Sequence, residues 1–220
     1  MSTQIVEVGI AALKRGPLGH SGGVAVIDGL PDQSTCEALA LEARDAYRES
    51  TRQHLVTSDG TDGRGGLPAR ALQTATGGPV QDALYASAWL HHYISQQCGT
   101  TIKPSGNRGS YSFYVQPGDF LDLHLDVDRC DVTLITVLHD DIPAQDPSGG
   151  LVIYRGMVDV PLSHIRLHPD HGAELVKAQP GQSILILGGM IPHRVLPLGM
   201  AGQRAISVLC FRASPTAPTE

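Results

Sequence analysis

Apolar positions change their rhythm along this chain. In the first half they recur at helical spacing. Cys36, Leu39, Ala40, Ala43 and Tyr47 fall on one face of a helix, with Glu42, Arg44, Asp45, Arg48 and Glu49 on the wet side. Ser34 and Glu37, just after Pro31, read as a capping box that starts it. Val80, Leu84, Ser87, His91, Ile94 and Cys98 form a second stripe, predicting one helix over Val80–Cys98 ended by Gly99. Adjacent His91 and His92 cannot share a helix face and read as structural or surface residues. Ile5, Val6, Val8 and Ile10 hint at a strand, GPLGHSGG reads as a turn, and Val24–Ile27 as a short strand. From about residue 108 the period falls to two. SYSFYV, FLDLHLDV, DVTLITVLH, LVIY, MVDV, SILILG, HRVLPL and RAISVLCF are separated by turn residues, the spacing of a β-sandwich or barrel. The organisation predicted is two helices packed outside a β core.

Between the helices, residues 58–79 are rich in Gly, Thr and Asp and read as one long loop, a lid or merely a solvated segment. Its Arg64 and Arg70 are candidates to meet an anionic substrate. With 220 residues and no linker or repeat, one domain is the simplest reading. The 25 glycines and 15 prolines favour short strands and turns over a helical bundle. A net charge of −6, with basic residues scattered, argues against nucleic acid as partner. No apolar run reaches the roughly 20 residues of a membrane span, and the N-terminus lacks a secretory pattern. Cys36, Cys98, Cys130 and Cys210 form no CxxC; they could pair, but the expectation is free, mostly buried thiols in a reducing cytoplasm.

The candidate chemistry lies in FLDLHLDVD, Phe120–Asp128. At period two, Leu121, Leu123, Leu125 and Val127 take one face and Asp122, His124, Asp126 and Asp128 the other. His124 and Asp126 would then make two-thirds of a metal site. His193 opens a late strand, HRVLP. In a double-stranded β-helix the second and seventh strands lie close at the barrel mouth, so His193 would face the pair. Two imidazoles and a carboxylate on one side of an ion leave adjacent positions open, the arrangement of non-haem Fe(II) oxygenases. The plainer reading of His124 is a histidine on a solvated acidic face, since Asp122 and Asp128 make more carboxylates than a metal needs. A rival cluster, His164, His168, Asp170 and His171, could hold a surface zinc. No serine-hydrolase or nucleotide-binding motif occurs.

The combination resembles the iron(II)- and 2-oxoglutarate-dependent oxygenases, in particular their prolyl-hydroxylase-like branch. The resemblance covers roughly residues 108–212. It rests on Tyr114, Gly118, His124-Leu125-Asp126, Thr133, Gly149-Gly150-Leu151, Tyr154, Pro180-Gly181, His193 and Gly202-Gln203-Arg204. It implies a double-stranded β-helix (jelly roll, cupin-like) with N-terminal helices on the larger sheet. The oxygenase domain would span 1–212, with 1–107 as helical support, 108–212 as the β core and 213–220 as a disordered tail. It implies Fe(II) on His124, Asp126 and His193, with O2 and 2-oxoglutarate as cosubstrates. Arg204 would take the far carboxylate of 2-oxoglutarate, since a planar guanidinium matches a carboxylate and stays charged when buried. Tyr114 and Thr133 would assist it. Asp128, Arg129 and Arg70 are candidate substrate contacts. Family halogenases lack the carboxylate, so Asp126 favours hydroxylation of a small amino-acid or peptide-like metabolite, with succinate and CO2 as coproducts. A prolyl-hydroxylase-like enzyme acting on a peptide or protein side chain is the second reading, and a non-catalytic cupin-like binding barrel the third.

Overall fold

The computed structural model describes residues 12–107, 109–200 and 202–214. The expected strand at Ile5–Ile10 lies outside them, as does residue 215 onward of the expected tail. The described chain runs α1 (Pro17–His20), β1 (Val24–Ile27), α2 (Gln33–Tyr47), β2 (Thr51–Leu55), β3 (Arg70–Ala75), α3 (Pro79–Ala86), α4 (Ala88–Cys98), β4 (Ile102–Pro104) and β5 (Tyr111–Tyr114). It continues through β6 (Phe120–His124), β7 (Val132–Asp140), β8 (Leu151–Ile153), α5 (Leu162–Leu167), β9 (Glu174–Val176), β10 (Ser183–Ile186), β11 (His193–Val195) and β12 (Arg204–Ala213).

The strands form one curled sheet in the order β1-β10-β7-β12-β5-β3-β6-β11-β8-β9, with β2 added to β3 and β4 to β12. Every pairing is antiparallel. The path turns from its larger to its smaller half at the β3–β6 pairing, where Arg70 sits opposite Leu121. The halves meet again where Thr133 of β7 reaches Asp126 just beyond β6. This is the jelly roll that the resemblance implied, one of the sandwich or barrel architectures to which the strand spacing pointed.

Alternation along β12 sorts the two sides of the larger half. Ser207 and Phe211 turn toward the helices, where Ser207 accepts from Gln81 and Phe211 packs on Tyr85 and His91. Arg204, Ile206, Val208 and Cys210 therefore face the barrel interior. The main core lies between that helix-facing side, α2, α3 and α4, and includes the fully buried Leu39, Leu90, Ile94, Tyr111 and Phe211. Each such aliphatic side chain removed from water contributes about 1.5–3 kcal/mol. A second cluster of Leu123, Val152, Tyr154, Met157, Leu162 and Ile165 packs α5 on the smaller half.

Several local expectations change. The N-cap of α2 is Asp32, whose carboxylate accepts from Thr35 N (2.9 Å) and from the Ser34 hydroxyl (2.6 Å). Residues 80–98 form two helices, because Ser87 is extended and bonds its hydroxyl back to Leu84 O. GPLGHSGG contains a helical turn with Pro17 at its start. MVDV is no strand: Met157 ends a 3-10 turn over Arg155–Met157. Part of the expected 58–79 loop is β3, which the sheet order places between β5 and β6. Thus β1, β2 and β3, all before residue 108, belong to the barrel sheet.

Candidate metal centre

β6 ends at His124, and it carries a bulge. His193 pairs with His124, but Val195 pairs with Leu121, so two steps on β11 match three on β6. Simple alternation therefore fails at this point. Leu121 and His124 share a side, and Asp122 is released to accept from the Ser58 hydroxyl at 2.8 Å. This accounts for one of the surplus carboxylates. Asp126 lies past the strand, where its backbone N–H donates to Gly188 O (2.9 Å).

His124, Asp126 and His193 bring one ligand atom each within 4.8 Å of one another, the only such group of three among the described residues. Each Nε2 lies 3.8 Å from Asp126 Oδ1. The imidazole centroids are 4.2 Å apart. His124 Nδ1 donates to Asp122 O and His193 Nδ1 to Ile191 O, both at 2.8 Å. These bonds fix the tautomers, so each Nε2 lone pair points at the shared space. Burial, then the neighbouring His193, pull His124 down to about 4 against the opposing pull of Asp126. The ring is thus neutral at physiological pH, as a metal ligand must be. Asp126 Oδ2 accepts from the Thr133 hydroxyl at 2.5 Å, which leaves Oδ1 for an ion. Two imidazoles and one carboxylate, aimed at a common point and held from behind, fit a divalent iron.

Arg204 sits in register with Tyr114 on one side and Asp140 on the other. Its side chain is 4% exposed, and Nη1 donates to Asp140 Oδ2 at 2.6 Å. Cys210, on the same side of β12, lies opposite Thr133. Arg204 therefore shares the interior side with the metal centre. Burial lowers the Arg204 pKa, while Asp140 and Tyr114 act to raise it. Tyr114 is fully buried, and burial drives its phenol above its ordinary value although Arg204 opposes this. Arg70, half-buried, shares a side of β3 with Leu72 and Thr74, and Thr74 pairs with Ser112, the residue opposite Ile206. That register turns Arg70 inward, and its side chain has no hydrogen-bond or ionic partner among the described residues. Asp128 and Arg129 stand on the exposed turn after Asp126.

Other expected residues take different places. Arg64 is engaged by the protein rather than free for substrate. It donates to Asp126 O, Val127 O, Cys130 O and Asp131 Oδ1. The loop carrying it is tied down, with Asp62 accepting from Ser163 N and Oγ and Asp59 from Thr61 N and Leu67 N. His164 and His168 have ring centroids 5.3 Å apart, yet their cluster brings no three ligand atoms together. Cys130 and Cys210 form a disulfide, against the expectation of free thiols; Cys36 and Cys98 are free. That pair, Asp131, Asp140 and the Gly188–Gly189 wall were not foreseen from the sequence. Only Gly-Gly after the apolar run SILIL was a readable signal.

No protein-family model and no curated protein matches this chain. Solved structures do. A prolyl hydroxylase from Trichoplax adhaerens, in complex with a hypoxia inducible factor peptide fragment, matches with TM-score 0.59 and 18% identity over 96% of this chain and 94% of that one. EctD from S. alaskensis with bound Fe matches with TM-score 0.58 and 17% identity over 97% and 77%. An oxidoreductase of the 2OG-Fe(II) oxygenase family from Burkholderia pseudomallei matches with TM-score 0.54 and 12% identity over 97% and 94%. The fold is that of the 2-oxoglutarate- and iron(II)-dependent oxygenases, with prolyl hydroxylases among its structural neighbours. Among the described residues no helix is long and apolar enough to cross a membrane.

Proposed function

We propose that the chain is an Fe(II)- and 2-oxoglutarate-dependent dioxygenase that hydroxylates a small amino-acid or peptide-like molecule. One observation carries this reading: two histidines with both Nδ1 atoms tied to backbone carbonyls converge with Asp126 on one point inside the barrel. Iron bound there would supply the O2 chemistry that turns 2-oxoglutarate into succinate and CO2 while a substrate C–H is oxidised. The residues of the chain hold and orient. His124, Asp126 and His193 are the ligands. Thr133 keeps one Asp126 oxygen turned away from the ion.

Arg204 is assigned the far carboxylate of 2-oxoglutarate. Asp140 engages Nη1, and the rest of the guanidinium is left to form charge-assisted bonds with the cosubstrate. The neutral Tyr114 phenol beside it adds a donor. Arg70, its side chain turned inward without a partner among the described residues, is assigned an anionic group of the substrate, with Asp128 and Arg129 at the rim. A peptide substrate is the second reading, favoured by the peptide complex of the Trichoplax neighbour.

Anaerobic binding of 2-oxoglutarate to the protein loaded with Mn(II) tests the assignment. Binding should need the metal and weaken at least tenfold in Arg204→Lys, which keeps a positive charge beside Asp140 but loses the planar fork. Arg204→Ala is a poor probe, because leaving Asp140 buried and unpaired costs about 3–5 kcal/mol. A metal-loaded protein that ignores 2-oxoglutarate would be a cupin-like binding barrel instead.

A further inference from the structure

Asp126 lies just before a turn, beyond the last residue of β6, and only its N–H bond to Gly188 O and the Thr133 hydroxyl on Oδ2 fix it from the sheet side. The chain that carries it needs holding too, because a metal carboxylate displaced by a fraction of an ångström changes the site. The turn presents three carbonyl oxygens, of Asp126, Val127 and Cys130, and all three converge on the guanidinium of Arg64. Nε donates to Asp126 O at 3.3 Å. Nη2 donates to Val127 O at 2.7 Å and to Cys130 O at 2.8 Å. Nη1 donates to Asp131 Oδ1 at 2.7 Å. The Arg64 and Asp131 side chains are only 15% and 14% exposed, so this is a partly desolvated pair rather than a screened surface contact.

The clamp is anchored on both sides. Asp131 Oδ2 accepts from Ala213 N at 2.9 Å, which ties the turn to β12, and the Cys130–Cys210 disulfide ties it to the same strand. Asp62 fixes the loop that carries Arg64 to the start of α5. The opposite wall is Gly188–Gly189. A Cβ on Gly189 would come within 2.7 Å of Arg64 Cζ, and one on Gly188 would run into Asp126 Oδ2. Both glycines are thus required by the close approach of the clamp and the carboxylate.

We infer that Arg64 is a positioning residue for the metal carboxylate, acting through the backbone of Asp126–Cys130 and through Asp131. The inference rests on the proposed metal centre. It removes Arg64 from the substrate-binding set, since every guanidinium nitrogen is committed to the protein. Lysine cannot replace it, because a single ammonium cannot span three carbonyls and a carboxylate.

The test compares wild type, Arg64→Lys, Arg64→Ala and Asp131→Asn. Mn(II) affinity is followed by water-proton relaxation, and the visible absorption of bound Co(II) reports ligand geometry. Thermal melts of the metal-free proteins serve as the fold control. Expected is a 10–100-fold loss of Mn(II) affinity in Arg64→Ala and a smaller loss in Arg64→Lys and Asp131→Asn. The Co(II) spectrum should shift in each, and methylguanidinium should partly restore Arg64→Ala. Variants that melt earlier without metal yet keep wild-type affinity and spectrum would make Arg64 a mere strut and overturn the inference. Wild type that binds neither ion would overturn the metal centre itself, a separate and visible failure. Should Arg64→Ala not fold, Asp131→Asn and Arg64→Lys decide the matter alone.

Discussion

At the scale of single residues, the centre depends on what stands behind each ligand. The Nδ1 bonds of His124 and His193 run to backbone carbonyls two residues earlier, so the local chain orients both rings. Asp126 instead depends on a side chain, the Thr133 hydroxyl at 2.5 Å. Thr133→Val keeps shape and β preference but removes that donor. It should weaken Mn(II) binding by about tenfold, while Thr133→Ser stays near wild type. Equal affinity in all three would confine Thr133 to packing. The convergence of His124, Asp126 and His193 was legible in the sequence because an HxD on an apolar strand and a late histidine are local patterns, and the buried Arg204 because a Gly-x-Arg is another. Asp140 was not, because the ion pair with Arg204 exists only once β7 and β12 lie side by side. The same holds for Arg64, whose partners lie on the turn after β6 and are joined to it by no sequence pattern.

At the scale of elements, helical stripes and strand alternation were readable, and the failures have physical causes. β2 is TRQHL, half-exposed with hardly an apolar residue, so periodicity gave no sign of it. The bulge in β6 breaks period two within the stretch where alternation seemed cleanest. The joint between α2 and α3 was also unreadable. Glu42, assigned simply to the wet face of α2, accepts from Gly78 N, Val80 N and Gln81 N at the start of α3 and from the Tyr111 hydroxyl. It is a capping carboxylate supplied by another helix. Burial acts to raise its pKa, but the Tyr111 hydroxyl and those amides outweigh it and leave Glu42 below the ordinary 4.5. A depressed carboxylate contributes stability that is present above its unfolded value and lost as pH falls through its folded one. Glu42→Gln should therefore lower the melting temperature at neutral pH, by an amount corresponding to about 1–3 kcal/mol. The gap to wild type should close as the pH falls below the ordinary glutamate value and through the lower folded one. A gap independent of pH would show that the charge of Glu42 is not involved.

At the scale of the whole molecule, the barrel joins what the chain separates. His193 meets His124 only because β11 pairs with β6. Arg204 reaches the interior only because β12 lies between β5 and β7. The strand spacing foretold a closed β architecture. It could not foretell that β2 and β3 complete the sheet, since their sequences resemble connectors between helices, nor where the readable strand β1 would join it. Nor could it show that Cys130 and Cys210 pair, a contact made only when the turn after β6 packs on β12. On the proposed function, this barrel couples iron to 2-oxoglutarate. Succinate release from 2-oxoglutarate, measured with Fe(II) and O2 in wild type and in His124→Ala, Asp126→Ala and His193→Ala, tests it most directly. Wild type should turn over, a chelator should abolish the turnover, and all three variants should fall to background. Full Fe(II)-dependent turnover in His124→Ala and Asp126→Ala would contradict it.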